Sequence, residues 1–431
     1  MEWKEKYKEK ITTAAEAIKA IKDNDHVVFS HAAGVPQIVG KELMAHKENY
    51  HNVSIYHMLS IGTGEYLAPE AEGHFRHITN FVGANSRQAI AENRADFLPC
   101  FFFEVPKLFA RDYKVDVAVV QVSLPDENGL CSFGLSCDYT KAAAECAPIV
   151  IAEMNECMPY VGGDNHIHIS ELDYIIPCAN PMFEIQPPKI GEVEKAIGKH
   201  CAALIEDGST LQLGIGAIPD AVLMFLKDKK DLGIHTEMFS DGVIDLVEAG
   251  VITGKKKTLH PEKLVATFLM GTKRLYDFVH KNPNVELRPV DYVNDPWIIA
   301  KNEKMVSINS CIEIDMMGQV NSETIGLKQF SGTGGQVDYV RGVSIAPGGV
   351  SIMAMPSTAS KGTTSRIVPF LSEGAAVTTS RNDVDYVVTE YGAAKLKGKT
   401  LKERAQGLIN IAHPDFREAL QNEFNKRFGT L

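Results

Sequence analysis

Val115-Asp116-Val117-Ala118-Val119-Val120-Gln121-Val122 is the stretch on which the fold turns. It is rich in β-branched residues and almost wholly apolar. It lacks the in–out alternation of a strand with one wet face, and so predicts a strand covered on both sides, as in a parallel sheet. The surrounding chain repeats the signal. Val27-Val28-Phe29 reads as a strand and Pro36 to Met44 as the helix after it, while Ile149-Val150-Ile151 reads as a further short buried strand. Strands alternating with amphipathic helices predict an α/β fold with a largely parallel sheet.

The same sequence of signals recurs further on. Ile21-Lys22-Asp23 leads through Val27-Val28-Phe29 to Gly34-Val35-Pro36, and Ile205-Glu206-Asp207 leads through Leu211-Gln212-Leu213 to Ala217-Ile218-Pro219. Phe81-Val82-Gly83 is echoed by Phe268-Leu269-Met270-Gly271. Two matches in one order predict two related α/β domains. A chain of 431 residues also exceeds one ordinary core. The proline pair in Pro187-Pro188-Lys189 sets the boundary, giving domains 1–187 and 188–431.

A formal net charge of −11 argues against a nucleic-acid partner, which needs a basic face. No apolar run approaches the ~20 residues of a membrane span. Met1-Glu2-Trp3-Lys4-Glu5-Lys6 lacks the basic-then-apolar order of a secretory leader, so a cytoplasmic location is expected. Eight cysteines include no CxxC pair, which predicts small buried thiols and no metal site.

Chemistry concentrates in the second half. Ser209 to Leu213 reads as a strand, Gly214-Ile215-Gly216-Ala217 as a tight turn, and Pro219 and Asp220 suit the first turn of a helix. Strand, glycine turn and helix aim backbone N–H groups at an approaching ligand, although many such turns need glycine only for backbone freedom. Leu232 to Ser240 reads as the next strand, with Glu237 near its carboxyl end, where ligands bind in open α/β sheets. From pattern alone, a solvated strand end or an ion pair is the plainer account of that glutamate. Ser331-Gly332-Thr333-Gly334-Gly335-Gln336 is a flexible loop whose backbone can approach another group closely. In Pro356 to Arg366, hydroxyls accompany Lys361 and Arg366, a composition suited to a phosphorylated ligand or to plain solvation.

With these stretches the chain resembles the family I CoA-transferases, in the branch of acetyl-CoA hydrolases/transferases. Within it, the chain is most similar to 4-hydroxybutyrate and butyrate:acetate CoA-transferases. The likeness spans nearly the whole chain. It is carried by His31-Ala32-Ala33-Gly34-Val35-Pro36, Phe81-Val82-Gly83-Ala84-Asn85-Ser86, Val122-Ser123-Leu124-Pro125-Asp126-Glu127-Asn128-Gly129, Gly214-Ile215-Gly216-Ala217-Ile218-Pro219-Asp220, His235-Thr236-Glu237-Met238, Thr389-Glu390-Tyr391-Gly392 and Ile411-Ala412-His413-Pro414-Asp415-Phe416-Arg417. Ala217 departs from the glycine more usual there.

The resemblance implies two similar open α/β domains with the active site at their interface. It implies that Glu237 is the catalytic glutamate. Gln212, Leu213, Gly214, Ile215 and Gly216, with Gly334 and Gly335, would contact CoA or the thioester oxygen, and Ile312 would line the CoA site. Lys361 joins these as a candidate for the phosphates. Coenzyme A would be a substrate, with no tightly bound cofactor and no metal. The partners are acyl-CoA and short-chain carboxylates, with no nucleic acid and no membrane, and the assembly a homo-oligomer, dimer or tetramer. The implied activity moves CoA between 4-hydroxybutyryl-CoA or butyryl-CoA and acetate, as in fermentation, by a ping-pong route through a glutamyl-CoA thioester. His31 is one candidate partner for a terminal hydroxyl on the acyl group; a histidine satisfied by nearby backbone is the plainer account. An acyl-CoA hydrolase and a non-catalytic sensor of CoA esters stay open as alternatives.

Overall fold

The computed structural model describes residues 2–62 and 64–429. Its contacts divide the chain into two compact units, Met1–Gln186 with Val265–Val293, and Pro187–Leu264 with Asn294–Leu431. Both are α/β with mainly parallel strands, as the sequence predicts.

In the first unit the strands of the main sheet are β1 (His26–Phe29), β2 (Val53–Tyr56), β3 (Phe75–Thr79), β4 (Ala95–Phe97), β5 (Val117–Val122), β6 (Ile149–Asn155) and β7 (Tyr174–Cys178). They form a seven-stranded sheet in the order β7-β6-β5-β1-β2-β3-β4, with every neighbouring pair parallel. All six residues of β5 are buried, because the sheet is covered on both faces there. Burying one such valine contributes about 1.5–3 kcal/mol. Val27, Phe29, Val53, Ile55, Val117, Val119 and Ile151 share one core cluster.

The helix expected from Pro36 starts later, at Val39. The fully buried Glu153 carboxylate on β6 explains the delay. It accepts from the backbone N–H groups of Gln37 (2.8 Å), Ile38 (2.6 Å) and Val39 (2.8 Å). Those three donors, of which Val39 opens the helix, are thereby satisfied by a side chain at the helix entrance. Burial still pushes the Glu153 carboxyl above its ordinary range.

In the second unit the strands used below are β8 (Thr210–Leu213), β9 (Gly233–His235), β10 (Met305–Asn309), β11 (Val350–Ala354), β12 (Tyr386–Thr389) and β13 (Gly392–Lys395). They run in the order β13-β12-β11-β10-β8-β9. Pairing is parallel except for the β12–β13 edge hairpin. The helices used below are α1 (Glu192–Ala202), α2 (Ala217–Met224), α3 (Gly242–Glu248), α4 (Gln336–Ile345), α5 (Leu401–Ile411) and α6 (Pro414–Phe428). Helix α1 carries Glu192 and Glu194 in its first turn and Lys199 and His200 in its last, matching the helix dipole. A capping box starts α5: Thr400 Oγ1 accepts from the Glu403 N–H, and Glu403 accepts from the Thr400 N–H at 2.8 Å. Helices α1 and α2 touch backbone to backbone. A Cβ on Gly198 would lie 2.7 Å from the Ala221 carbonyl carbon, so glycine is needed where they meet.

The cysteines depart from the expectation of uniform burial. Cys131, Cys137, Cys201 and Cys311 are buried, but Cys146 and Cys157 are exposed, and all eight are free thiols. Cys146 closes a short helix, Thr140–Cys146, and Cys157 follows the end of β6, so both reach solvent at element ends. Among the described residues no helix is long and apolar enough to cross a membrane.

Candidate active site

The stretch expected as one strand from Leu232 to Ser240 is broken in two. Strand β9 stops at His235, and Met238–Phe239 resumes as a short strand with Leu213 as antiparallel partner of Met238. The Thr236 hydroxyl causes the break. It accepts from the Leu213 N–H at 3.2 Å and reaches the Met238 carbonyl at 2.9 Å. A side chain thus takes the place of ladder hydrogen bonds, and the backbone bends at Glu237. Glu237 is half-buried, between buried neighbours on both sides.

Two groups crowd one oxygen of its carboxylate. Asn294 Nδ2 donates to Glu237 Oε2 at 3.0 Å. Beside that amide, the backbone of Gly335 lies so close that a Cβ there would sit 1.9 Å from Glu237 Oε2 and 2.3 Å from Asn294 Nδ2. Only a residue without a side chain fits. Gly334 has φ +52°, and Gly335 then caps α4. The fully buried Tyr339 hydroxyl is pushed far above its ordinary range by burial, then by the charges of Glu237 and Asp338. Two carboxylates therefore share this small volume.

The other glycine turn has a different character. Gly216 has φ +122°, and added Cβ atoms at Gly214 or Gly216 would meet nothing within 4 Å. Ile215 between them is 43 % exposed. Helix α2 begins directly after, so its first N–H groups have no partner inside the helix. Asp220 lies in that first turn and accepts from the Ser240 hydroxyl at 3.2 Å. Burial pushes its carboxyl above the ordinary range. Gln212 and Asn309, on adjacent strands, exchange amide hydrogen bonds at 3.1 and 3.4 Å. Leu213 is buried.

A cavity of about 530 Å³ opens beyond the glycine loop. Ile312, Ile325 and Phe330 give it apolar wall; Ser310, Ser322, Ser331 and Ser365 give it hydroxyls; Arg366 gives it a cation. Arg366 Nη1 donates to the Cys311 carbonyl at 2.9 Å, and its Nε is buried without a hydrogen-bond partner. One loop joins this cavity to Glu237. Ser331 lines the cavity, Gly335 touches the carboxylate, and Gln336 donates to Ser322 on the cavity wall at 2.9 Å. Lys361 is exposed with φ +59° and lies outside the lining, although its neighbour Ser360 belongs to it.

The structure therefore brings Glu237 and Gly335 together, places Ile312 on the cavity and leaves Lys361 at its margin. Sequence reasoning missed Asn294. It stands before Asp295-Pro296, where Asp295 caps the helix Pro296–Ile299, so its context reads as an ordinary turn. His31, in the first unit, is buried with Nδ1 3.1 Å from Asp138 Oδ2. Phe268 and Phe102 meet its ring at 4.6 and 5.7 Å, and its Nε2 makes no hydrogen bond. Its partner is a carboxylate, not the backbone.

Two family profiles match the chain: the acetyl-CoA hydrolase/transferase N-terminal domain over residues 1–183 and the C-terminal domain over residues 271–424. A 4-hydroxybutyrate coenzyme A transferase of Clostridium kluyveri is 62% identical over 429 residues, covering 99% of this chain and 100% of the relative. A succinyl-CoA:cyclohexane-1-carboxylate CoA transferase of Geobacter metallireducens is 45% identical, covering 97% of this chain and 95% of the relative. The crystal structure of a 4-hydroxybutyrate CoA-transferase from Porphyromonas gingivalis superposes with a TM-score of 0.87 at 50% identity, covering 99% of this chain and 100% of that one.

Proposed function

The chain belongs to the acetyl-CoA hydrolase/transferase family, and from that premise we propose that it is a CoA-transferase acting on short-chain acids through Glu237. The acyl group proposed is 4-hydroxybutyryl or butyryl, with acetate as the exchanging acid. The observation that carries the reading is the close fit around Glu237 Oε2: a side-chain amide at 3.0 Å and, beside it, backbone that leaves no room for a side chain. A carboxylate merely solvated at a strand end needs neither.

Exchange of one thioester for another is nearly isoenergetic, so a nucleophile that keeps each intermediate activated is sufficient. Glu237 attacks the thioester carbonyl; the C–S bond breaks, and a mixed anhydride and CoA thiolate result. The thiolate attacks the glutamyl carbonyl, expelling the first acid and leaving a glutamyl-CoA thioester. The second acid attacks that thioester and the steps reverse. Covalent catalysis of this kind divides one difficult step into easier ones. Charge develops on the glutamyl oxygen in the second step, where the Asn294 N–H is already in place. A donor so placed is worth ~3–4 kcal/mol of barrier.

The cavity suits the handle of the substrate. Its apolar wall accepts a flexible chain, and Arg366 offers a cation to phosphate. The loop from Ser331 to Gln336 couples occupancy of the cavity to the geometry at Gly335. Binding energy gained far from the reacting bond can then position the thioester.

The test is to incubate the protein with butyryl-CoA alone, digest it and weigh the peptide that holds Glu237. A CoA thioester on that peptide, discharged by acetate, supports transfer. Discharge by water at the same rate makes the enzyme a hydrolase. No adduct on any carboxylate, with CoA binding intact, overturns the covalent route and favours a sensor.

A further inference from the structure

One amide links two carboxylates in the second unit. Asn294 Nδ2 lies 3.0 Å from Glu237 Oε2 and 3.3 Å from Asp338 Oδ2. An amide nitrogen carries two hydrogens, so each carboxylate can take one. Asn294 is fully buried, and its Oδ1 makes no hydrogen bond. Nothing therefore holds the amide from its carbonyl side. Turned over, it would aim an oxygen at two carboxylates, and Glu237 would lose the Asn294 donor.

Asp338 is well placed to prevent that. It is 1 % exposed, in the first turn of α4, where the helix dipole favours a negative charge. The helix is pinned: a Cβ on Gly342 would lie 2.6 Å from the Ile299 side chain. Burying a second carboxylate beside Glu237 costs desolvation and repulsion, and an apolar residue of similar volume would commonly suit stability as well. We propose that Asp338 is a positioning residue, which fixes the Asn294 amide in the orientation that donates to Glu237. This rests on Glu237 being the nucleophile.

The experiment is a double-mutant cycle on the full-length enzyme, with Asp338→Asn, Asn294→Ala and the two combined. It reads kcat, KM for butyryl-CoA and the single-turnover rate of adduct formation on Glu237. An asparagine at 338 can donate to Asn294 Oδ1 and so pull the amide over. Asp338→Asn should lower kcat and the adduct rate about 10–100-fold, below the ~10²–10³ that removing a donor outright can cost. KM should stay within about twofold, since only the transition state loses. In the Asn294→Ala background, Asp338→Asn should add less than about twofold, because the group it acts through is gone. An effect of equal size in both backgrounds means that Asp338 is structural and overturns the inference. So does an unchanged rate in both Asp338→Asn and Asp338→Leu, the second of which leaves the amide no acceptor at 338, when the parent forms the adduct. A parent that forms no adduct overturns this inference and the nucleophile reading together.

Discussion

Two glycine turns of the second unit each lead into a helix, yet they use glycine for opposite reasons. At Gly335 the space is full: a Cβ would enter the Glu237 carboxylate at 1.9 Å, while the backbone angle is ordinary. At Gly216 the space is empty, but φ is +122° with an extended ψ of 178°, a region almost closed to other residues. Gly214 meets neither restriction. The same residue type thus marks close approach in one turn and backbone conformation in the other. The sequence motif does not distinguish them.

That contrast is exposed to test. The largest effect should come from Glu237→Asp, which withdraws the carboxylate from both partners. A retreat of ~1 Å can cost about a hundredfold, so kcat should fall at least that far, and near wild-type turnover would remove the nucleophile assignment. Gly335→Ala comes next. The methyl must displace Glu237 or Asn294, and steady-state assays should show a loss of about a hundredfold with the secondary structure intact by circular dichroism. In a Glu237→Ala background the stability lost to Gly335→Ala should shrink, because one of the two colliding side chains is absent. Gly216→Ala should act on stability first, by about 1–3 kcal/mol in denaturant unfolding, with a smaller effect on rate. Gly214→Ala should be mildest, under about 1 kcal/mol and a few-fold in kcat. Equal rate losses for Gly335→Ala and Gly214→Ala would erase the distinction between the turns.

The parts of the molecule that were legible in sequence are those written in local pattern. Val117 to Val122 is buried on both faces and says so in its composition. Thr210 to Leu213, the glycine turn and Pro219 announce strand, turn and helix in order. What pattern does not carry is contact at a distance. Asn294 reaches Glu237 across 57 positions of sequence and looks like a turn residue on its own. The break at Thr236 depends on a hydroxyl meeting Leu213, 23 positions away. The late start of the helix at Val39 depends on Glu153, 114 positions away. Residues 265–293 fold with the first unit, and their strands are too short to show a period. Lys361 and Arg366 looked interchangeable as cations, but only Arg366 lines the cavity.

The uneven distribution of thiols has a practical consequence. Cys146 and Cys157, the two exposed cysteines, both belong to the first unit. Cys201 and Cys311, the two in the second unit, are buried, each with its thiol pushed up to about 12 by burial. Alkylating reagents act on thiolates, so they should mark the first unit and spare the one that holds Glu237. A chromogenic thiol assay of released coenzyme A would carry a fast background from two protein sulfurs. Replacing both by serine should remove most of that background, leaving the half-buried Cys100 and Cys178 as its slower remainder.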